Sequence, residues 1–207
     1  MNITVAITGA SGAIYPQRFL NHLAAEPSVS RIQLVVSAAG LRVLHEELAQ
    51  GPVTLSNIVE RLVGDGREKI EVLNNNDIGA SIASGSFPVD AMVVIPCSVG
   101  TLGSIAHGIS RDLIQRSADV MLKERRKLIL VIRDTPFSLI HLENMRLLTL
   151  AGGTIFPAIP SFYHRPGSID DAVDQFLFRV MTHLGLKPAR AFQWKGSRPD
   201  ESPAEKG

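Results

Sequence analysis

Five short apolar runs, rich in β-branched residues, recur along the chain at 3–7, 32–36, 91–96, 128–132 and, more weakly, 154–158. Apolar residues follow one another in each run without polar alternation. That pattern marks strands buried on both faces, as in a parallel sheet covered by helices. Between the runs, residue spacing predicts helices over 12–25, 39–49, 53–63, 102–122, 138–151 and 169–184. Such a rhythm restricts the chain to a doubly wound α/β fold. Ligands in this class sit outside the carboxyl ends of the strands, where the strand order reverses. A chain of 207 residues, 45% of them hydrophobic, carries enough apolar surface for one full core. Residues 1–186 are read as that single domain. Beyond Leu186 the composition turns to Lys, Pro, Arg, Ser and Glu, so 187–207 reads as a tail, with Trp194 as an isolated aromatic expected to dock.

Charge and cysteine usage narrow the function. The formal net charge is +1, which provides no global field for nucleic acid. Any anion must therefore be recognised locally. Cys97 is the single cysteine, so no intramolecular disulfide forms and a reducing compartment fits. No run reaches the roughly 18 apolar residues that span a bilayer. The amino terminus opens directly on a strand-like run without a basic leader, and a cytoplasmic location is expected. His107, His141 and His164 stand at no metal-ligand spacing, and no metal is expected.

Chemistry is concentrated at four strand ends. Gly9, Ala10, Ser11 and Gly12 follow the first run and open the first helix. Glycines permit a tight turn there, and helix amides can point at a phosphate. The full GxGxxG spacing is absent, and Ser37 stands where a dinucleotide site has an acidic residue, so a mononucleotide such as FMN fits better than NAD. Ser98, Val99, Gly100 and Thr101 follow the third run, where small and hydroxyl residues admit a flat ring or phosphate, or simply cap a helix. Cys97 beside them is read as an inert core residue.

The fourth run ends in Arg133, Asp134, Thr135 and Pro136. An arginine fork binds a phosphate or a flavin carbonyl, and a neighbouring carboxylate can shuttle a proton; an Arg–carboxylate bridge locking the loop is the alternative. The basic cluster Lys123, Arg125, Arg126 and Lys127 closes a long helix, where cations complement the helix dipole on a solvated face. Tyr163 lies on a proline-bracketed loop. Arg179 sits among Val173, Phe176, Leu177, Val180 and Leu184, a setting that calls for an anionic partner, either within the chain or a bound phosphate.

Together these segments resemble the UbiX-like flavin prenyltransferases over nearly the whole chain. The resemblance rests on GASGA at 9–13, SGSF at 84–87, PCSVGTLGSIAHGI at 96–109, RSADVMLKERRKLILV at 116–131, HLENM at 141–145 and PAIPSFYHRPGSIDD at 157–171. It implies a flavodoxin-like or Rossmann-type three-layer αβα fold, assembled as trimers and commonly as dodecamers. The implied reaction joins a dimethylallyl group from dimethylallyl phosphate, or in some members the pyrophosphate, to N5 and C6 of reduced FMN. The product, prenylated FMN, serves UbiD-like decarboxylases.

Position by position, the resemblance makes Gly9, Ala10, Ser11, Ser37, Ser98, Val99, Gly100, Thr101 and Arg133 the FMN contacts, with Arg116 a basic position near the flavin. Lys123, Tyr163 and Arg179 become the cradle for dimethylallyl phosphate, and Trp194 closes over the site. Asp134, Ser11 and Lys123 are the expected catalytic groups, and some phosphate ligands are expected from a neighbouring chain. One departure matters: Asp134 stands where the family usually has Glu, withdrawing the carboxylate by one methylene. A misplacement of about 1 Å can cost on the order of 100-fold. Residues 14–17 (Ile-Tyr-Pro-Gln) are also atypical. These two departures favour the rival reading of a non-catalytic FMN carrier. A flavin-dependent decarboxylase of cysteinyl peptides is a further rival, but its expected His base and Asn motif are missing.

Overall fold

The computed structural model describes residues 1–48 and 51–193; Trp194 and the rest of the tail lie outside them. Six strands form one sheet: β1 (Asn2–Ile7), β2 (Arg31–Val36), β3 (Ile70–Asn74), β4 (Ala91–Cys97), β5 (Lys127–Ile132) and β6 (Thr154–Ile155). They run in the order β3-β2-β1-β4-β5-β6, and every pairing is parallel. Among the described residues seven α-helices connect and cover them: α1 (Ile14–Ala25), α2 (Ala38–Glu47), α3 (Ile58–Leu62), α4 (Val99–Ala106), α5 (Leu113–Lys123), α6 (Leu139–Leu150) and α7 (Ile169–Leu184). The result is the flavodoxin-like or Rossmann-type three-layer fold, with its switch point between β1 and β4.

Period-two geometry sends alternate strand residues to two separate cores. Ile3, Val5, Ile7, Leu34 and Val93 meet Phe19, Leu20 and Leu23 of α1 and Leu177 and Val180 of α7. Ala6, Val35, Met92, Val94 and Leu130 meet Leu102 of α4 and Ile114, Ala118 and Met121 of α5. Each fully buried aliphatic or aromatic side chain contributes about 1.5–3 kcal/mol. An ion-pair strap holds α1 against α7. Arg18 donates Nε and Nη2 to the two Asp174 oxygens, both at 2.6 Å, while His22 Nε2 lies 2.8 Å from Asp174 Oδ1.

Three features depart from the sequence reading. β3 was not expected. It is an edge strand with no fully buried residue and carries Glu71 as its second residue, so it lacks the continuous apolar signature. The helix expected over 102–122 is two helices. Gly108, at φ 67°, ends α4, and the Asp112 side chain caps α5 by accepting from Gln115 N–H. The basic cluster is less solvated than expected. Arg126 donates to Gly85 O at 2.6 Å and Phe87 O at 2.8 Å, fastening the 84–87 loop. Lys127 Nζ donates to His183 O and Leu184 O, satisfying the last carbonyls of α7. The weak run at 154–158 keeps its ladder: past β6, Ala158 N–H still donates to Ile132 O at 2.9 Å.

Candidate active site

The β1–α1 loop, the start of α2, the start of α4 and the end of β5 converge at the carboxyl edge of the sheet. Backbone bonds knit them together. Thr8 Oγ1 donates to Pro96 O and accepts from Ser98 N–H, both at 2.8 Å, and Arg133 N–H donates to Cys97 O at 3.3 Å. Gly9 is required by packing: a Cβ added there would come within 2.5 Å of Ala39 Cβ. The start of α2 presses as closely on β1, since a Cβ on Gly40 would meet Ile7 O at 2.7 Å.

From the sequence the amides at the start of α1 point at a phosphate, but a carboxylate holds the two that lead into the helix. Glu47, the last residue of α2, accepts from Gly12 N–H at 2.9 Å and Ala13 N–H at 2.7 Å. Burial works against its charge, yet the bonds from Ala13, Ser11 and Gly12 and the field of Arg133 hold it below the usual carboxylate range. A second anion would be repelled there. Glu47 went unnoticed in the sequence because its partners lie more than thirty residues upstream and no local motif marks it.

Among the described residues the other two helix starts lack such a carboxylate. Ser37 Oγ accepts from Gly40 N–H at 3.0 Å and caps α2; Ser98 Oγ accepts from Thr101 N–H at 3.3 Å and caps α4. Gly100, in the first turn of α4, faces open space, with no atom within 4 Å of a Cβ built upon it. Cys97 is fully buried, and burial raises its thiol pKa, which suits an inert core residue.

Arg133 follows β5 at the same carboxyl edge of the sheet. Its Nε is buried and has no hydrogen-bond partner, and among the described residues the side chain makes no ion pair. The bridge to Asp134 considered from the sequence is absent; Asp134 Oδ1 accepts from Thr135 N–H at 2.8 Å instead. The charge of Arg133 reaches Glu47 and Tyr15. Burial raises the Tyr15 hydroxyl pKa, and Arg133 opposes that rise. Pro16 sits in the first turn of α1, where its missing N–H costs nothing. A buried, unpartnered arginine Nε at the same sheet edge as the open first turn of α4 fits a flat ligand with carbonyl and phosphate groups such as FMN.

Tyr163 and Arg179 meet in a second place. With Ser161, Gln175 and Phe192 they line a cavity of about 310 Å³ beside α7. Arg179 turns away from the apolar face that surrounds it in sequence. It is exposed and makes no ion pair among the described residues.

Arg116 and Lys123 form a third group. The first amides of α5 bond to Asn75 at the carboxyl edge of the sheet, so Lys123, at the far end of the helix, lies at the amino edge. Arg116 bonds to Ala83 O and Asp119, and Lys123 pairs with Glu124 at 2.5 Å. Within one chain Lys123 and Arg133 therefore lie at opposite sheet edges. Among the described residues no group of three His, Cys, Asp or Glu could hold a metal ion, and no helix is long and apolar enough to cross a membrane.

The family profile described as Flavoprotein matches residues 1–172. The chain is 41% identical over 192 residues to the flavin prenyltransferase UbiX of Alkalihalophilus pseudofirmus, covering 93% of this chain and 95% of that one. It superposes on AnUbiX (PadA1), solved in complex with FMN and dimethylallyl pyrophosphate, with a TM-score of 0.83 at 41% identity, over 95% and 98% of the two chains. For a dodecameric FMN-dependent UbiX-like decarboxylase from Escherichia coli O157:H7 the TM-score is 0.84 at 38% identity, over 95% and 100%.

Proposed function

This chain belongs to the flavin prenyltransferase family of flavoproteins, and from that premise we propose that it joins a dimethylallyl group to N5 and C6 of reduced FMN. The donor is dimethylallyl phosphate or its pyrophosphate, and the product is prenylated FMN for a UbiD-like decarboxylase. The observation that carries the reading is the buried, unpartnered Nε of Arg133 just past β5, at the same carboxyl sheet edge where Gly100 of α4 faces open space. Residues 1–186 act as the flavin-binding domain, with the remainder as its tail, in a cytoplasmic homo-oligomer.

Reduced FMN, once bound, supplies the electron-rich ring that accepts the allyl group. Ser37, Ser98, Val99, Gly100 and Thr101 hold its phosphate end, because Glu47 denies an anion the start of α1. Gly9 and Ala10 line the approach, Arg133 grips the ring carbonyls, and Ser11 orients the ring edge under Glu47. Tyr163 and Arg179 take the donor phosphate and stabilise the charge that grows on it as the allylic C–O bond breaks. Asp134 and that phosphate share the proton released on ring closure.

Lys123 completes the cradle from a neighbouring copy, with Arg116 a basic group near the flavin. An assembly like that of the dodecameric relative supports this arrangement, since α5 holds Lys123 away from its own chain's Arg133.

The test is anaerobic incubation with reduced FMN and dimethylallyl phosphate, followed by mass spectrometry of the released flavin. A gain of one five-carbon unit is expected. Unchanged FMN overturns the proposal in favour of a flavin carrier.

A further inference from the structure

The cavity over Tyr163 and Arg179 has one wall made by the end of the described chain. After α7 ends, the backbone turns back along that helix and brings Phe192 to face Ser161, Tyr163, Gln175 and Arg179. One side chain holds it there. Gln175 Nε2 donates to Arg190 O at 3.0 Å, and Gln175 Oε1 accepts from Phe192 N–H at 2.8 Å. Both ends of a single amide are thus engaged with tail backbone, a donor–acceptor pair that neither a carboxylate nor an ammonium can supply. The Phe192 ring also lies 6.1 Å from the His164 ring, so the wall has support from behind.

The lining is itself a description of a ligand. Among the described residues Arg179 is its one cationic side chain, Tyr163 and Phe192 bring aromatic rings, and Ser161 adds a hydroxyl. That combination suits one anionic head with a short apolar tail. About 310 Å³ is the small end of the range for ligand pockets, roughly 300–1,000 Å³.

Resting on the functional reading above, we propose that Gln175 is a positioning residue that fixes Phe192 as the wall of this cavity, and that the wall limits the organic group of the phosphate ester to about five carbons. Release of the tether lets Phe192 swing out and the cavity lengthen. Specificity for the short ester then falls while the phosphate contacts of Arg179 persist.

The experiment compares kcat/KM for geranyl phosphate and dimethylallyl phosphate in wild type, Gln175→Ala, Phe192→Ala and the double variant. Retained FMN binding serves as the control for folding. Relative use of geranyl phosphate should rise on the order of tenfold or more in each single variant. The double variant should resemble Phe192→Ala, because both changes remove one wall. Gln175→Glu keeps the acceptor for Phe192 N–H but loses the donor to Arg190 O, so an intermediate ratio is expected. Tryptic nicking after Arg190 should quicken in Gln175→Ala, a readout independent of turnover. If wild type prenylates FMN while Gln175→Ala keeps both the wild-type ester ratio and the wild-type nicking rate, the proposal is overturned. A wild type that adds no prenyl group overturns the functional reading instead; nicking after Arg190 then judges the tether, and an unchanged rate overturns it.

Discussion

Glu47 offers the sharpest quantitative test of the site because its partners and its charge both leave measurable traces. In Glu47→Ala, Gly12 N–H and Ala13 N–H lose an acceptor at 2.9 and 2.7 Å, and the first turn of α1 loses a complementary charge. Hydrogen bonds to charged groups are each worth about 1.5–3 kcal/mol. Glu47 is exposed and water can replace it, so the expected cost is only about 1–2 kcal/mol in total. For a chain of this size each kcal/mol moves Tm by about 2–4 °C, which predicts a fall of roughly 2–8 °C at pH 7. Glu47→Gln keeps an acceptor without the charge and should lose about half as much.

The pH dependence fixes the cause. The folded-state pKa of Glu47 is lowered from the ordinary 4.5, so its stabilisation is present above that value and is lost as pH falls through the lowered pKa. The Tm gap between wild type and Glu47→Gln should therefore be full at pH 7 and close below about pH 4.5, followed by thermal scanning at low salt. Inorganic phosphate should stabilise Glu47→Ala more than wild type, since the start of α1 becomes an anion site. A gap that stays equal at pH 7 and pH 4, or no gap at all, refutes the electrostatic account of this loop.

Three further outcomes follow from the same geometry. Gly9→Ala forces a Cβ within 2.5 Å of Ala39 Cβ and should destabilise by about 1–3 kcal/mol in urea titration, with partial rescue by Ala39→Gly. Asp174→Asn breaks the strap to Arg18 and His22. Burial opposes the Asp174 charge, but those hydrogen bonds and charges hold its pKa below the ordinary 3.8, so a loss of about 1–3 kcal/mol at neutral pH should fade in acid as wild type protonates. Lys123→Ala and Arg133→Ala should each lose most prenylation alone; mixed oligomers assembled from both should regain part of it, and no recovery would place both residues in one chain's site.

Strands β1, β2, β4 and β5 were legible in the sequence because each is buried on both faces and has no reason to alternate. The edge strand β3 was illegible for the converse reason: half-exposed on both faces, it carries Glu71 and has no apolar run. Gly9, read from the sequence as a tight-turn glycine, has a second reason to lack a side chain that the sequence hides, the close approach of Ala39 of α2. Arg133 could be found from the rule that charge at the end of a buried strand is out of place. Glu47 could not, because a contact spanning 35 residues exists only once β2 pairs with β1 and α2 swings back over the loop. Gln175 was equally hidden, since its value lies in two backbone groups of a tail that carries no motif.

The serines at the strand ends show why capping and ligand binding need not be alternatives. A hydroxyl has two acceptor lone pairs and one O–H donor, and a helix cap uses only an acceptor. Ser37 Oγ takes the N–H of Gly40, which leaves its O–H without a partner among the described residues. Ser98 spends both: it accepts from Thr101 N–H and donates to Thr101 Oγ1 at 3.1 Å. The donor is thereby passed on to the Thr101 hydroxyl, next to the open face of Gly100. An anion needs donors, and the starts of α2 and α4 each retain one after their own backbone is satisfied. The start of α1 differs, because Glu47 occupies the Gly12 and Ala13 amides that lead into it. Two of the three helix starts at the switch point are therefore fit for a phosphate, and the third is reserved for a carboxylate that faces the Ser11 side chain.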